Sequence, residues 1–223
     1  METFFTQIVS IVLRRDMNKM PEIKNRILME ATALFMQFGL KSVSMDDIAA
    51  KMGVSKKTLY LHFQDKEQMV IEVVKKITGE NKNICDADRK RASNAIHEIF
   101  LAIEQMSKLF HHMNSSVLFD LQKYYPLAYK IHTDYKKEYL FSVIKENLIR
   151  GIDEGLYRSD INIEILSLYR VESIVIPFYP EFQKIDKTNM ASIAEELSFH
   201  FLYGIVSTKG LKQMMKYTQS SKK

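Results

Sequence analysis

The sequence is poor in residues that interrupt helices or cross-link the chain. Its 223 residues include seven glycines, four prolines, one cysteine and no tryptophan. A single cysteine, Cys85, excludes an intramolecular disulfide and indicates a reducing compartment. The scarcity of glycine and proline, with long stretches rich in Lys, Glu, Leu, Ile and Met, predicts an all-α fold.

The motifs of the common enzyme and metal-binding classes are also missing. The sequence has no glycine-rich phosphate loop, no His-Glu-x-x-His, no Gly-x-Ser-x-Gly and no paired cysteines. Cys85 has no acid or base motif around it, so it is not a candidate nucleophile. We therefore predict that the chain is not an enzyme, and we expect no catalytic residue, no metal site and no cofactor.

No hydrophobic run is long enough to span a bilayer. The most apolar stretch, residues 4–13, covers about ten residues, and Arg14 and Arg15 follow it instead of preceding it. We predict that residues 1–20 form a peripheral, non-essential arm. An extra helix, a disordered arm and a start at Met17 or Met20 are the open alternatives. No membrane association and a cytoplasmic location are expected.

The most informative stretch is residues 44–63. Ser44 is a candidate N-cap, and Asp47 three residues later completes a capping-box pattern. Gly53 stands where a helix C-terminus favours a left-handed residue, and Ser55 can cap a second short helix. This pattern predicts a helix-turn-helix, whose second helix enters the major groove of DNA. The net charge of +5 is compatible with nucleic-acid binding but does not require it.

The flanking segments extend this motif to a four-helix unit, residues 21–81. Apolar residues at helical spacing follow Pro21 as far as Phe38, and Gly39 ends that helix. Asp65 is predicted to cap a fourth helix. Gly79 and the polar run 80–88 predict a boundary, after which residues 82–223 read as further long helices.

The unit is similar to the DNA-binding domain of the TetR (tetracycline repressor-like) family, in an ordered run of positions between residues 27 and 69. Residues 151–160, Gly-Ile-Asp-Glu-Gly-Leu-Tyr-Arg-Ser-Asp, resemble a stretch in many C-terminal domains of that family. The matching N-terminal positions are Ile27, Ala31, Phe35, Phe38, Gly39, Val43, Ser44, Ile48, Ala49, Gly53, Val54, Ser55, Thr58, Leu59, Tyr60, His62, Phe63, Lys66, Glu67 and Met69.

The resemblance implies a homeodomain-like helix-turn-helix domain followed by a larger helical ligand-binding and dimerisation domain. It implies a sequence-specific DNA-binding transcriptional regulator, a ligand-responsive repressor that binds a palindromic operator as a dimer. A DNA-binding protein without ligand control is one alternative, and an enzyme built on the C-terminal helices is another.

Eight residues are predicted to contact DNA. We assign Lys57 and Thr58 to bases, and Tyr60, His62 and Lys66 to the sugar-phosphate backbone. The alternative for the lysines is that they are simply solvated. The full set is Ser44, Ser55, Lys56, Lys57, Thr58, Tyr60, His62 and Lys66.

One short recognition helix reads only a few base pairs, so a two-fold dimer is expected. The resemblance places the dimer on the last two long helices, about 161–178 and 189–207. The alternative is that their apolar stripes face the subunit's own core. The candidate residues are Ile165, Leu168, Ile174, Val175, Ile193, Leu197, Phe201, Leu202 and Ile205.

The resemblance also implies a cavity for an unknown small-molecule effector among the middle helices, which are rich in aromatic residues. Tyr hydroxyls with Phe walls suit an amphipathic or aromatic molecule. The competing interpretation is an ordinary core. The candidate residues are Phe110, Met113, Phe119, Tyr125, Tyr129, Phe141, Tyr169 and Phe178.

Overall fold

The computed structural model describes residues 23–111, 113–185 and 189–220. In these ranges the chain is helical without a β-strand, apart from one isolated bridge between Tyr157 and Val206, so the predicted all-α class is confirmed. None of the described helices is long and apolar enough to cross a membrane. The α-helices are α1 (Ile23–Phe38), α2 (Met45–Met52), α3 (Lys56–Tyr60), α4 (Lys66–Arg91), α5 (Ala95–Phe110), α6 (Val117–Tyr124), α7 (Pro126–Asp134), α8 (Phe141–Asp153), α9 (Ile163–Ser173), α10 (Pro180–Gln183), α11 (Met190–Ile205) and α12 (Thr208–Ser220).

The chain forms two compact units. The helix-turn-helix unit contains the described residues 23–77 and 113–131, and the C-terminal unit contains residues 78–111, 132–185 and 189–220. The helix-turn-helix unit is therefore discontinuous in sequence, whereas a continuous stretch ending at residue 81 was expected. The predicted arm at residues 1–20 lies outside the described residues.

The core of the helix-turn-helix unit is a single apolar cluster. From α1 it takes Ile27, Ala31 and Phe35, which are fully buried at four-residue spacing. Burial of such side chains stabilises by about 1.5–3 kcal/mol each. Leu59 of α3 and Phe63 after it are also fully buried, so the short third helix is held by the same core as α1.

Residues 113–131 pack on this core from a distant part of the sequence. The backbone N–H of Asn114 donates to the carbonyl of Met36 at 2.7 Å. The buried carboxylate of Asp120 accepts a hydrogen bond from the Lys41 backbone N–H at 3.0 Å. Leu121 of α6 is buried in the same apolar cluster. The loop between α1 and α2 is thus fixed by polar contacts that no local sequence pattern indicates.

Two predicted helix boundaries are wrong. The helix that starts at Lys66 continues through Gly79 to Arg91, so the polar run 80–88 is helical and not a loosened connection. The next helix, expected directly after that boundary, begins only at Ala95, where the Asn94 side chain accepts a hydrogen bond from the His97 N–H. Polar residues on one exposed side of a long helix were misinterpreted as a break.

The C-terminal unit is built around α5, α8 and α11. Its buried apolar cluster includes Ile96, Leu148 and Leu202, one from each of these helices. A π-helical turn, Tyr135–Leu140, joins α7 to α8. The expected helix over 161–178 is shorter, because α9 ends at Ser173 and a 3₁₀ turn, Ile176–Phe178, follows.

The residues beyond the expected helix at 189–207 are helical as well. They form α12, which carries the fully buried Met214 into the core of the C-terminal unit. At the start of α12, Gly210 lies so close to the backbone of Leu156 that a Cβ built on the glycine would be 1.9 Å from the Leu156 carbonyl oxygen. The sequence reading missed α12 because Lys and Gln dominate its exposed side.

Candidate nucleic-acid interface

The start of α2 is closed by a complete capping box. The Ser44 hydroxyl accepts a hydrogen bond from the Asp47 N–H at 3.1 Å, and the Asp47 carboxylate accepts from the Ser44 N–H at 2.7 Å. Hydrogen bonds from the Ser44 hydroxyl and N–H lower the pKa of Asp47, so the carboxylate stays ionised at neutral pH. The capping prediction is confirmed, and it leaves Ser44 engaged with its own helix.

The turn between α2 and α3 has the geometry that the sequence predicts. Gly53 has φ +66° and ψ +28°, in the left-handed region, and its N–H bonds back to the last turn of α2. No other atom lies within 4 Å of a Cβ built on Gly53. Backbone conformation, and not space, therefore requires glycine here.

α3 begins with a second side-chain cap. The Ser55 hydroxyl accepts a hydrogen bond from the Thr58 N–H at 3.1 Å and lies 2.9 Å from the Thr58 hydroxyl. Thr58 is partly buried, while Lys57 is exposed and has no bonded partner among the described residues. Lys57 is thus the cation of α3 that is available to an external phosphate or base.

Lys56 is placed differently from Lys57. Its Nζ forms an ion pair with the Asp46 carboxylate at 2.5 Å, with both side chains exposed, and this contact raises the pKa of Lys56. Exposed pairs of this kind contribute little and exchange readily. A DNA phosphate would therefore compete with Asp46 for Lys56.

The end of α3 presents three neighbouring side chains, two of which were predicted. Tyr60 is half exposed and His62 is partly buried. Leu61 is 74% exposed, the highest value among the exposed large apolar side chains of the described chain. Sequence reasoning missed Leu61 because an apolar residue beside a recognition helix reads as core. An exposed leucine here suits contact with a thymine methyl group.

Lys66 lies at the start of α4, over two aromatic rings. Its Nζ is 5.8 Å from the Phe35 ring centroid and 6.0 Å from that of Tyr125. Burial lowers the pKa of Lys66, and the carboxylates of Asp120 and Asp47 act in the opposite direction. Lys66 is therefore a partly buried cation within the unit, and its predicted phosphate contact stays a prediction.

The eight aromatic and Met candidates for an effector cavity do not come together in one unit. Tyr125 and Tyr129 pack on the core of the helix-turn-helix unit, to which Met113 and Phe119 also belong, and Phe119 is 59% exposed. In the C-terminal unit, the rings of Phe110 and Phe178 meet edge to face at 5.3 Å. Phe141 and Tyr169 belong to that unit as well.

The candidate dimer residues divide into two groups. Ile165 and Leu168 of α9 are 64% and 55% exposed, so they do not serve the subunit's own core. Ile174, Val175 and Leu197 are partly buried. The residues of α11 are buried within the subunit, as the alternative interpretation held: Ile193, Phe201, Leu202 and Ile205.

Residues 27–73 match the family model of the bacterial regulatory proteins of the tetR family. The chain therefore contains a helix-turn-helix domain of the tetR type. The matched residues run from the core of α1 through both capped helices to α4, which is the arrangement described above. The predicted resemblance of the N-terminal unit to the DNA-binding domain of that family is confirmed over these residues.

Curated relatives of the chain are named as regulators of the helix-turn-helix type or as a repressor of that type. YvaF of Bacillus subtilis, an uncharacterized HTH-type transcriptional regulator, is 33% identical over 101 residues, which cover 45% of this chain and 53% of YvaF. The transcriptional repressor KstR2 of Mycobacterium tuberculosis is 26% identical over 157 residues, 64% of this chain and 73% of KstR2. The chain thus spans about half of YvaF.

A solved structure shows the same fold along most of the chain. FadR from Bacillus subtilis, in complex with stearoyl-CoA, has a TM-score of 0.63 at 19% identity and covers 80% of this chain and 97% of its own. At this identity the likeness concerns the fold alone.

Proposed function

We propose that this protein is a ligand-responsive repressor that binds a palindromic operator as a homodimer in the cytoplasm. The observation that carries the proposal is the α2–α3 pair, in which both helices are capped by serine and joined through a left-handed Gly53. A helix pair fixed in this way presents Lys57 and Tyr60 outward on one short helix. The DNA-binding role is proposed for the helix-turn-helix unit, which residues 113–131 complete, and the regulatory and dimerising role for the C-terminal unit.

Within the proposal, Lys57 and Thr58 contact bases, and Tyr60, His62 and Lys66 contact the backbone. Lys56 reaches phosphate by leaving Asp46. Ser44 and Ser55 cap their helices and hold them at the angle that brings free N–H groups toward phosphates.

Control by a small molecule is supported by a named neighbour. The FadR structure contains stearoyl-CoA, an effector-sized molecule with a long apolar part. In this chain the aromatic residues of the C-terminal unit, Phe110, Phe141, Tyr169 and Phe178, are the candidates for an equivalent role. An effector changes DNA affinity only by binding one conformation better than another. The proposed role is regulatory, without turnover of the effector.

Selection of bound duplexes from a random DNA pool by the full chain tests this function. We expect an inverted repeat whose half-sites are separated by about one helical turn. Enrichment of no motif, or of a single unpaired half-site, would contradict the palindromic operator. Operator binding that no small metabolite alters would favour the alternative, a DNA-binding protein without ligand control.

The dimer is proposed to use the exposed apolar side of α9. Replacing both Ile165 and Leu168 with lysine is expected to raise the dimer dissociation constant by roughly 1,000-fold, because a two-fold interface loses four buried aliphatic side chains and gains four charges. Light scattering after size exclusion should give a dimer for the native chain and a monomer for the variant at micromolar concentration. Ile149→Lys, at a 40% exposed position of α8, is the matched control. A native chain that is already monomeric would refute the proposal.

A further inference from the structure

The C-terminal unit contains a partly buried cation, Arg170, that has no carboxylate within ion-pair distance among the described residues. The Arg170 guanidinium donates to the Ser198 hydroxyl at 2.7 Å and to the Ser173 hydroxyl at 3.4 Å. Its carbon lies 5.6 Å from the centroid of the Phe201 ring. Ser198 is fully buried and Phe201 is 5% exposed, so the partly buried guanidinium contacts residues of the core of the unit.

Arg170 differs from the other arginines of the described C-terminal unit. Each of those has a carboxylate within ion-pair distance, and Arg170 has none. Burial lowers the pKa of Arg170 to about 10, so the group still carries its charge at neutral pH. The other pairs are Arg89 with Glu146, Arg91 with Asp88, Arg150 with Glu98 and Glu154, and Arg158 with Asp160.

The donors around Arg170 are only partly used. A guanidinium has five N–H groups, and two of them are bonded here. The hydroxyls of Ser173 and Ser198 donate their protons to the backbone carbonyls of Arg170 and Ala194, so they act as acceptors toward the guanidinium. One turn earlier on α9, the Ser167 hydroxyl is fully buried and has no hydrogen-bond partner. The remaining guanidinium N–H groups and the Ser167 hydroxyl can donate hydrogen bonds to an oxygen anion.

We propose that Arg170 anchors the carboxylate of an amphipathic monocarboxylic acid, with the Ser167 hydroxyl as a second donor and the Phe201 and Tyr169 rings beside its apolar part. The two rings stack at 6.2 Å between centroids and form an apolar wall next to the guanidinium. A planar carboxylate matches the guanidinium fork. One negative charge neutralises Arg170, whereas a doubly charged phosphate would leave excess buried charge. This proposal rests on the ligand-responsive function above and names the class of its effector.

The first experiment uses the full chain and compares two substitutions in the absence of ligand. Arg170→Met removes an uncompensated buried charge, and we expect a Tm equal to or above that of the native chain. Arg150→Met is the matched control, because it leaves the buried carboxylate of Glu98 without its ion-pair partner. The Tm of that variant should fall. A fall for Arg170→Met as large as that for Arg150→Met would show a purely structural role and overturn the proposal.

The second experiment measures ligand binding by thermal shift and calorimetry. The probes are hexanoate, decanoate, benzoate and phenylacetate, each compared with its primary amide. We expect at least one acid to raise the Tm by about 5 °C at roughly 100-fold excess over its Kd. Its amide should not, and in Arg170→Met the acid should bind at least about 10-fold more weakly. No stabilisation by any acid, or equal stabilisation by acid and amide, would overturn the carboxylate assignment.

Two further readouts separate this proposal from the function it rests on. An acid that binds through Arg170 but leaves operator binding unchanged would contradict ligand control and not the site. A neutral molecule that releases the operator equally from the native chain and from Arg170→Met would support ligand control and contradict the Arg170 site. If Arg170→Met were instead monomeric by light scattering, the counter-ion would come from a second copy of the chain, and the effector site would be refuted.

Discussion

A chain that carries both Lys57→Ala and Tyr60→Ala is expected to lose roughly 100- to 1,000-fold of its operator affinity. Both side chains are exposed on α3. In a dimer with two recognition helices, the double substitution therefore removes four DNA contacts, each of which contributes about 1 kcal/mol to binding. Because the proposal assigns Lys57 to a base and Tyr60 is uncharged, the slope of log K against log salt should fall by less than about 2, the value expected if Lys57 instead neutralised one phosphate at each recognition helix. Fluorescence anisotropy with the selected operator at several salt concentrations measures both quantities.

The matched control for this pair removes the same charge elsewhere. Lys212→Ala, at an exposed position of α12, should leave affinity and salt slope unchanged. Lys66 is left intact because its Nζ lies over the rings of Phe35 and Tyr125, so that its removal would change contacts within the unit as well as any contact with DNA. Full affinity in the double variant, with an unchanged melting temperature, would refute the placement of the DNA-contacting surface on α3.

Gly210→Ala is expected to lower the stability of the C-terminal unit by about 3 kcal/mol, or about 6–12 °C in Tm. The new Cβ would lie 1.9 Å from the Leu156 carbonyl oxygen and 2.9 Å from its carbon. That oxygen belongs to the backbone and already accepts a hydrogen bond from the Ser207 N–H at 2.9 Å. α12 must therefore move away, and the fully buried Met214 on it moves with it.

Gly79→Ala is the control variant for Gly210→Ala in thermal unfolding experiments. Gly79 is also helical, but no atom outside its own helix lies within 4 Å of a built Cβ. Alanine there should raise stability by about 1 kcal/mol through helix propensity. If both variants changed Tm in the same direction and by similar amounts, the close approach of α12 to Leu156 would not exist in solution.

The predictable part of this fold is the part with local chemical signals. Ser44 with Asp47, Gly53 and Ser55 each have a side-chain or backbone requirement that acts within a few residues, and each was placed correctly. The boundary between α4 and α5 was misplaced because exposed polar residues look alike on a helix and in a loop. Only Asn94, the actual cap of α5, carries a local signal there.

The less predictable part depends on contacts between distant residues. The burial of Asp120 against the Lys41 N–H joins positions far apart in sequence. The spacing of apolar residues along the sequence does not show which side chains surround Arg170, so it could not indicate that no described carboxylate lies near the guanidinium. Leu61 was missed for the same reason, since only the packing of Leu59 and Phe63 inward shows that Leu61 is left outside.

The discontinuity of the helix-turn-helix unit has a consequence for synthesis of the protein. Chains fold from the N-terminus as they leave the ribosome, and α1–α3 emerge well before Leu121 and Ala128, which complete their apolar core. The Lys41 N–H likewise gains its acceptor only when Asp120 has been made. The apolar core behind α1–α3 of a nascent chain therefore stays incomplete until residues 113–131 are added, by which time α5 of the C-terminal unit has already been translated.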